Sequence, residues 1–233
     1  MITGPLTVAT IVLSYDRPRM LREALDSIKG ADEVILLDDA SHFDARALAD
    51  EFKGKFKSIR VKVASPLDMK ARKTTPRLGK AINEAIRGTE CRIITYLCDD
   101  DLFAPNWIED VRQFFGTGPD HFVYGRWNVF THGESPGDAP CPLEARWKMT
   151  TGNFAHLRKC SFRHDCWWDE AAIAVHDSWF LGKAFKAHPL SKIRSIPSLA
   201  GWRREHPFNM VHFTDGRGYT KKADGVLDRG SLE

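Results

Sequence analysis

No apolar run in the 233 residues approaches the roughly 18 needed to cross a bilayer, so a membrane-spanning helix is not expected. The start, Met1-Ile2-Thr3-Gly4-Pro5, lacks the basic stretch of a signal peptide and passes directly into a strand pattern. Cysteine is scarce and odd in number, five in all, which argues against a disulfide framework. A reducing compartment with free thiols, the cytoplasm, is the expectation. Net charge is small as well: 34 basic against 31 acidic residues leave +3, and that global value singles out no partner. Internal repeats are absent. What is present is ordinary for a globular chain, 42% apolar and 28% charged, which excludes disorder, collagen-like repeats and coiled coil as the main state. A chain of this length buries roughly 70% of its unfolded surface and needs no staples, and one domain over 1–233 is expected.

The first half alternates strand and helix signals. Val8 to Leu13 is a buried-strand run ended by the polar turn Ser14-Tyr15-Asp16-Arg17-Pro18. Met20, Leu21, Ala24, Leu25 and Ile28 then form a helix stripe. Glu33 to Leu37 is a second strand, stopping at Asp38-Asp39, and Ala45, Leu48, Ala49 and Phe52 mark a second helix. Ile59 to Val63 alternates apolar and basic residues, as a half-exposed strand does. Leu78, Ala81, Ile82, Ala85 and Ile86 give a third helix, and Arg92 to Leu97 a strand running into Cys98-Asp99-Asp100-Asp101. Pro105 is expected in the first turn of a helix carrying Trp107, Ile108, Val111, Phe114 and Phe115. Strands and helices in strict alternation imply a mainly parallel α/β sheet with right-handed crossovers. Beyond residue 120 the rhythm changes: an aromatic strand over His121 to Phe130, a Gly/Pro-rich loop over Thr131 to Pro142, and a helix over Ser178 to Lys186. The Gly- and charge-rich tail 215–233 is expected to be flexible.

Ligands of such sheets sit beyond the carboxyl ends of the strands. Three strand ends here carry polar clusters, Ser14 to Arg17, Asp38-Asp39 and Asp99 to Asp101, and all three open onto one edge. Three successive carboxylates repel one another, and at that depth at least one pKa must rise unless a cation neutralises them. A hard divalent ion does so and is usually shared with a phosphate. The plainer reading is that one Asp caps the next helix. A second metal reading concerns His156, Cys160, His164 and Cys166, ligand types in a short span whose spacing matches no familiar zinc pattern.

The motifs Val8-Ala9-Thr10-Ile11-Val12-Leu13-Ser14-Tyr15-Asp16-Arg17-Pro18, Val34 to Ser41, and Ile93-Ile94-Thr95-Tyr96-Leu97-Cys98-Asp99-Asp100-Asp101-Leu102-Phe103-Ala104-Pro105 resemble those of family 2 glycosyltransferases. The pattern is similar in particular to the spore-coat polysaccharide transferase subgroup, and the likeness covers about residues 6 to 185. It implies a GT-A fold, Rossmann-like, with a mixed, mainly parallel sheet flanked by helices. It implies a nucleotide-sugar-binding half over 1–118 and an acceptor-binding half over 119–214. The implied chemistry is inverting, metal-dependent hexosyl or pentosyl transfer from a nucleotide diphosphate donor, UDP-sugar favoured, to an acceptor hydroxyl. Position by position, Thr10 and Tyr15 at the end of the first strand would line the nucleotide base, with Ser14 and Arg17 in the same turn. Asp39 would accept a hydrogen bond from the base, which favours uracil. Arg72 would meet the base or the diphosphate, and Asp99 the ribose. Asp100 would bind the cation, Mn²⁺ or Mg²⁺, with His206 touching the metal or the diphosphate and Arg203 closing over the donor. Asp101 falls where relatives vary. Asp177 would be the base that takes the acceptor proton, a role compatible with capping the helix expected after it. Asp169 and Glu170 would orient the acceptor side.

Other readings stay open. A nucleotidyltransferase is disfavoured because the turn Ser14 to Pro18 contains no glycine for a phosphate loop. From Lys53 to Lys80 there are ten Lys or Arg and one acid, Asp68, a run suited to phosphates. A non-catalytic nucleic-acid-binding protein, or sugar transfer to a modified base in DNA, would use that run, with the target base flipped from the duplex.

Overall fold

The computed structural model describes residues 4–66, 75–118, 121–131, 151–164, 166–171, 180, 186 and 193–205. β1 (Val8–Ser14) is apolar along nearly its whole length and buried throughout, as a strand covered on both faces must be. α1 (Pro18–Ser27) begins with proline at its first position, and buries Met20, Leu21, Ala24 and Leu25, the expected stripe. β2 (Glu33–Asp38) and α2 (Ala45–Asp50) follow, the helix capped by Asp44, whose carboxylate accepts the Arg46 and Ala47 N–H groups. β3 (Ser58–Val63) is the half-exposed edge strand its alternation predicts, with Ile59 and Val61 packed on the core. α3 (Leu78–Gly88), β4 (Ile93–Cys98), the two-residue β5 (Leu102–Phe103) and α4 (Trp107–Thr117) complete the first half. Pro105 lies outside α4. The Trp107 N–H bonds the Ala104 carbonyl at 3.1 Å, so proline occupies the second position of a tight turn, where its fixed φ fits, and Asn106 is the N-cap.

β6 (Phe122–Thr131), β7 (Phe154–Leu157), α5 (Lys159–His164) and β8 (Ile193–Glu205) come from the second half. All described strands join one sheet in the order β3-β2-β1-β4-β7-β6-β8-β5. β3, β2, β1 and β4 are parallel, β7 is antiparallel to both β4 and β6, and β6 and β8 are parallel. This is the mixed, mainly parallel GT-A sheet expected. Of the helix expected over 178–186, Phe180 and Lys186 are described. Both are helical, and Phe180 is buried. The loop 132–142 and the tail 215–233 lie outside the described residues. Among the described residues no helix is long and apolar enough to cross a membrane.

The two halves are joined by an aromatic cluster under β4. Tyr96 is fully buried, its hydroxyl 2.8 Å from His156 Nε2, and it accepts the Trp168 indole N–H at 3.1 Å. Trp168 stacks on Phe180 with ring centroids 4.7 Å apart and planes 8° from parallel. Asn83 of α3 holds Trp168 from both sides, accepting its N–H and donating to its carbonyl, each at 2.9 Å. Gly152 has no room for a side chain, because a Cβ there would overlap the Trp127 indole.

At the opposite end of the parallel strands, Asp32 stitches three elements together. Its carboxylate accepts the Val8 N–H at 2.9 Å and Arg112 of α4 at 2.7 Å, and it pairs with Lys57 before β3. Burial alone would raise its pKa, but Lys57, the Val8 N–H and Arg112 outweigh that and hold it below the ordinary range. A depressed carboxylate contributes stability above its unfolded pKa and loses it as pH falls. Asp32→Ala is therefore expected to lower unfolding free energy by about 2 kcal/mol at pH 7 in urea titrations. The gap should narrow as pH falls below about 4.

Candidate active site

The strand order places β1 between β2 and β4, so the chain leaves β1 to one side first and returns on the other. The carboxyl ends of β1 and β4 thus form the topological switch of the sheet, where a crevice opens. The three polar strand ends meet there through hydrogen bonds. The Asp99 N–H bonds the Leu13 carbonyl at 2.9 Å, and the Asp39 N–H bonds that of Ser14 at 2.8 Å. Asp99 Oδ2 accepts the Tyr15 N–H at 2.8 Å. Arg17 Nη1 bridges Asp99 Oδ1 at 2.8 Å and Asp100 Oδ2 at 2.9 Å. The Asp16 N–H reaches Ser41 Oγ at 2.9 Å, while Ser41 donates its hydroxyl and N–H to Asp38. Asp16 and Ala40, one at each of two strand ends, have φ of 52° and 57°, left-handed conformations that cost free energy in residues with a Cβ. Backbone strain of this kind concentrates where loops are held for function.

Asp99, Asp100 and Asp101 are 2%, 7% and 8% exposed, so three carboxylates share one buried turn, two of them bridged by Arg17. Burial pushes the Asp99 pKa up to about 6, with Arg17 opposing and Asp100 adding to the rise. Burial, then Asp100, raises Asp101 well above the carboxylate range. Burial, then Asp101, Asp100 and Asp99, raises the Cys98 thiol. Burial disfavours the Arg17 charge, yet Asp99 and Asp100 outweigh it and its pKa is raised. The turn therefore stays charge-balanced either by taking up protons or by taking up a cation. None of the three caps a helix, since the N-cap of α4 is Asn106.

The residues fit a divalent cation. Ligand atoms of Cys98, Asp100 and Asp101 all lie within 4.8 Å of one another, a spread that metal–ligand bonds of about 2.0–2.3 Å can span. Among the described residues this is the group with such geometry. The zinc reading of the second half fails for a physical reason: both ring nitrogens of His156 already face protein oxygens, Tyr96 Oη and the Leu157 carbonyl.

The remaining sequence-predicted residues fall into three groups. Ser14, Tyr15, Arg17, Asp39 and Asp99 stand at the crevice. Thr10 does not stand at the strand end: it is the third residue of β1, fully buried, and its Oγ1 has no hydrogen-bond partner among the described residues. Asp169 and Glu170 lie against α3, Glu170 bonded to Asn83 at 2.9 Å and Asp169 capping the turn at Ala171. Arg203 is half-buried near Asp101, which it favours in the charged form. Arg72, Asp177 and His206 lie outside the described residues. Sequence reasoning missed Arg204, whose N–H bonds Asp101 Oδ1 at 3.1 Å and whose guanidinium reaches Glu23 at 2.5 Å. The Arg203-Arg204 doublet is visible in sequence, but only the pairing of β5 with β8, Leu102 opposite Trp202, selects which one is buried. Arg77, which pairs with Asp39, was missed because no local pattern links them.

Most of the described basic residues of the run are paired with acids, while Lys70, Arg72 and Lys73 lie outside the described residues. Lys53 pairs with Asp50, Lys55 with Asp26, Lys57 with Asp32, Arg60 with Glu33, Lys62 with Glu84 and Arg77 with Asp39. Every one of these acids lies outside the run, so the count along the chain overstates the field at the surface.

The sequence profile of glycosyl transferase family 2 matches residues 10–168. No curated protein matches the chain in sequence. Among solved structures, the fold is similar to that of S. aureus TarS 1-349 in complex with UDP-GlcNAc, at TM-score 0.69 and 15% identity. That match covers 86% of this chain and 59% of TarS 1-349, so the chain spans about three-fifths of that protein's length. It is also similar to glucosyl-3-phosphoglycerate synthase from Mycobacterium tuberculosis in complex with Mn²⁺, UDP and phosphoglyceric acid. There the TM-score is 0.60 and identity 16%, over 88% of this chain and 73% of that one.

Proposed function

The chain belongs to glycosyl transferase family 2, and from that premise we propose that it moves a sugar from a UDP-sugar to an acceptor hydroxyl, with inversion and with Mn²⁺ or Mg²⁺ bound. The observation that carries this reading is the buried turn of three carboxylates at the β1/β4 switch, bridged by Arg17. TarS bound to UDP-GlcNAc and the mycobacterial synthase bound to Mn²⁺ and UDP support the donor class and the cation. The likeness to the spore-coat subgroup rests on the motif Thr95-Tyr96-Leu97-Cys98-Asp99-Asp100 followed by the apolar pair Leu102-Phe103 and Pro105.

Asp100 and Asp101 would hold the cation. A bound divalent ion supplies charge stabilisation for the departing diphosphate. Arg17, fixed beside Asp100, adds positive charge at the same place without reorganisation as the leaving oxygens become anionic. Asp39, oriented by Arg77, would accept from the base N–H, with Ser14, Tyr15 and Arg72 completing the nucleotide side and Thr10, buried within β1, taking no part. Asp99 would hold the ribose. Arg203 and His206 would close over the donor. On the opposite face of the sugar, Asp177 would take the acceptor proton, the role that a single inverting displacement requires. The stacking of Trp168 on Phe180 supports this, because it anchors the chain on both sides of the segment that carries Asp177. Asp169 and Glu170 would brace that side through α3.

Calorimetric titration of UDP, GDP, CDP, ADP and TDP, each with Mn²⁺ and with EDTA, tests the donor and the cation together. UDP is expected to bind, and only with metal. Binding of no nucleotide, or binding indifferent to EDTA, would overturn the reading.

A further inference from the structure

Resting on that reading, we infer that Cys98 is itself a ligand of the cation, so that the site combines one sulfur with the carboxylates of Asp100 and Asp101 and favours thiophilic ions over Mg²⁺. The geometry comes from the turn that ends β4. The Asp101 N–H bonds the Cys98 carbonyl at 3.2 Å, which folds the chain back and brings Cys98 Sγ and the two carboxylates within 4.8 Å of one another. Asp101 is 8% exposed, and while its Oδ1 accepts the Arg204 N–H, its Oδ2 accepts no hydrogen bond among the described residues. Cys98 Sγ likewise has no hydrogen-bond partner among the described residues. Cys91 and Cys160 differ: their thiols face the Glu33 carboxylate and the His121 carbonyl, 3.9 and 3.8 Å away, and neither lies in a metal-holding group.

On cation binding the Cys98 Sγ–H bond is replaced by a sulfur–metal bond, and the proton leaves to solvent. A thiolate among oxygen ligands shifts preference from Mg²⁺ toward Mn²⁺, Co²⁺, Zn²⁺ and Cd²⁺.

The test is titration of the full chain with Co²⁺, with and without UDP, for wild type and Cys98→Ser, followed by competition with Cd²⁺ and Mg²⁺. Wild type should show thiolate-to-cobalt charge transfer in the near ultraviolet, and Cys98→Ser should lose it. The variant should keep its visible cobalt spectrum and its circular dichroism. The preference for Cd²⁺ over Mg²⁺ should fall by about tenfold or more in the variant, the scale on which a lost ligand interaction alters metal affinity. A visible cobalt spectrum with no near-ultraviolet band, or a band that survives in Cys98→Ser, would overturn the sulfur ligand and leave the cation-dependent reading standing. Absence of any cobalt spectrum in both proteins, even with UDP, would overturn both.

Discussion

Asp100→Ala is expected to abolish metal-dependent UDP binding and to lower sugar transfer by about 10³-fold, the scale on which a preorganised electrostatic contact to the leaving charge acts. The same change should not destabilise the protein. Asp100 raises the pKa of both Asp99 and Asp101, so removing its carboxylate relieves repulsion that offsets the lost bond to Arg17. Arg17 keeps Asp99 as a partner at 2.8 Å. The combined signature is a thermal midpoint in EDTA equal to or above wild type, beside lost activity and lost Mn²⁺-dependent calorimetric heat. A lowered midpoint with the activity loss would mark Asp100 as a structural residue, and retained UDP binding would remove it from the metal site.

Asp177→Asn is expected to separate binding from chemistry. Asparagine keeps the shape and can still cap the helix that follows, but it cannot accept the acceptor proton. Donor binding measured by calorimetry should therefore match wild type, while kcat falls by about 10²- to 10⁴-fold. Residual activity should also lose the acidic limb of its pH–rate profile, because the group whose ionisation produces that limb is gone. Near-normal turnover would assign Asp177 to capping alone and send the search for the base elsewhere in the second half.

The two variants act on opposite sides of the sugar, so their kinetic signatures differ. Asp100→Ala removes donor binding and rate together. Asp177→Asn removes rate with the donor still bound.

Much of the fold was legible in the residues. β1, β2 and β4 are short apolar runs closed by acids or polar turns, and a strand buried on both faces has that appearance whatever surrounds it. The stripes of α1 and α3 have helical spacing because one face of each packs on the sheet. Convergence of the three polar strand ends followed from parallel topology, and Arg17 at the turn after β1 was found by that logic. Pro105 was misplaced by two residues, because proline fits a tight turn as well as it fits the start of a helix.

What the sequence by itself determined is the family, the mixed, mainly parallel sheet and the chemical character of each strand end, since these depend on local patterning and on motifs a few residues long. Only the tertiary structure decided which side chains touch. Burial of Arg204 rather than Arg203, with its N–H on Asp101 and its guanidinium on Glu23, follows from a register set by residues a hundred positions apart. The acids that pair with Lys55, Arg60 and Lys62 of the basic run lie far from them in sequence. Cys98 reads in sequence as an ordinary strand residue, and becomes a neighbour of two carboxylates only when the turn folds back. Charge and coordination depend on distance in space, and the chain order of residues does not fix that distance.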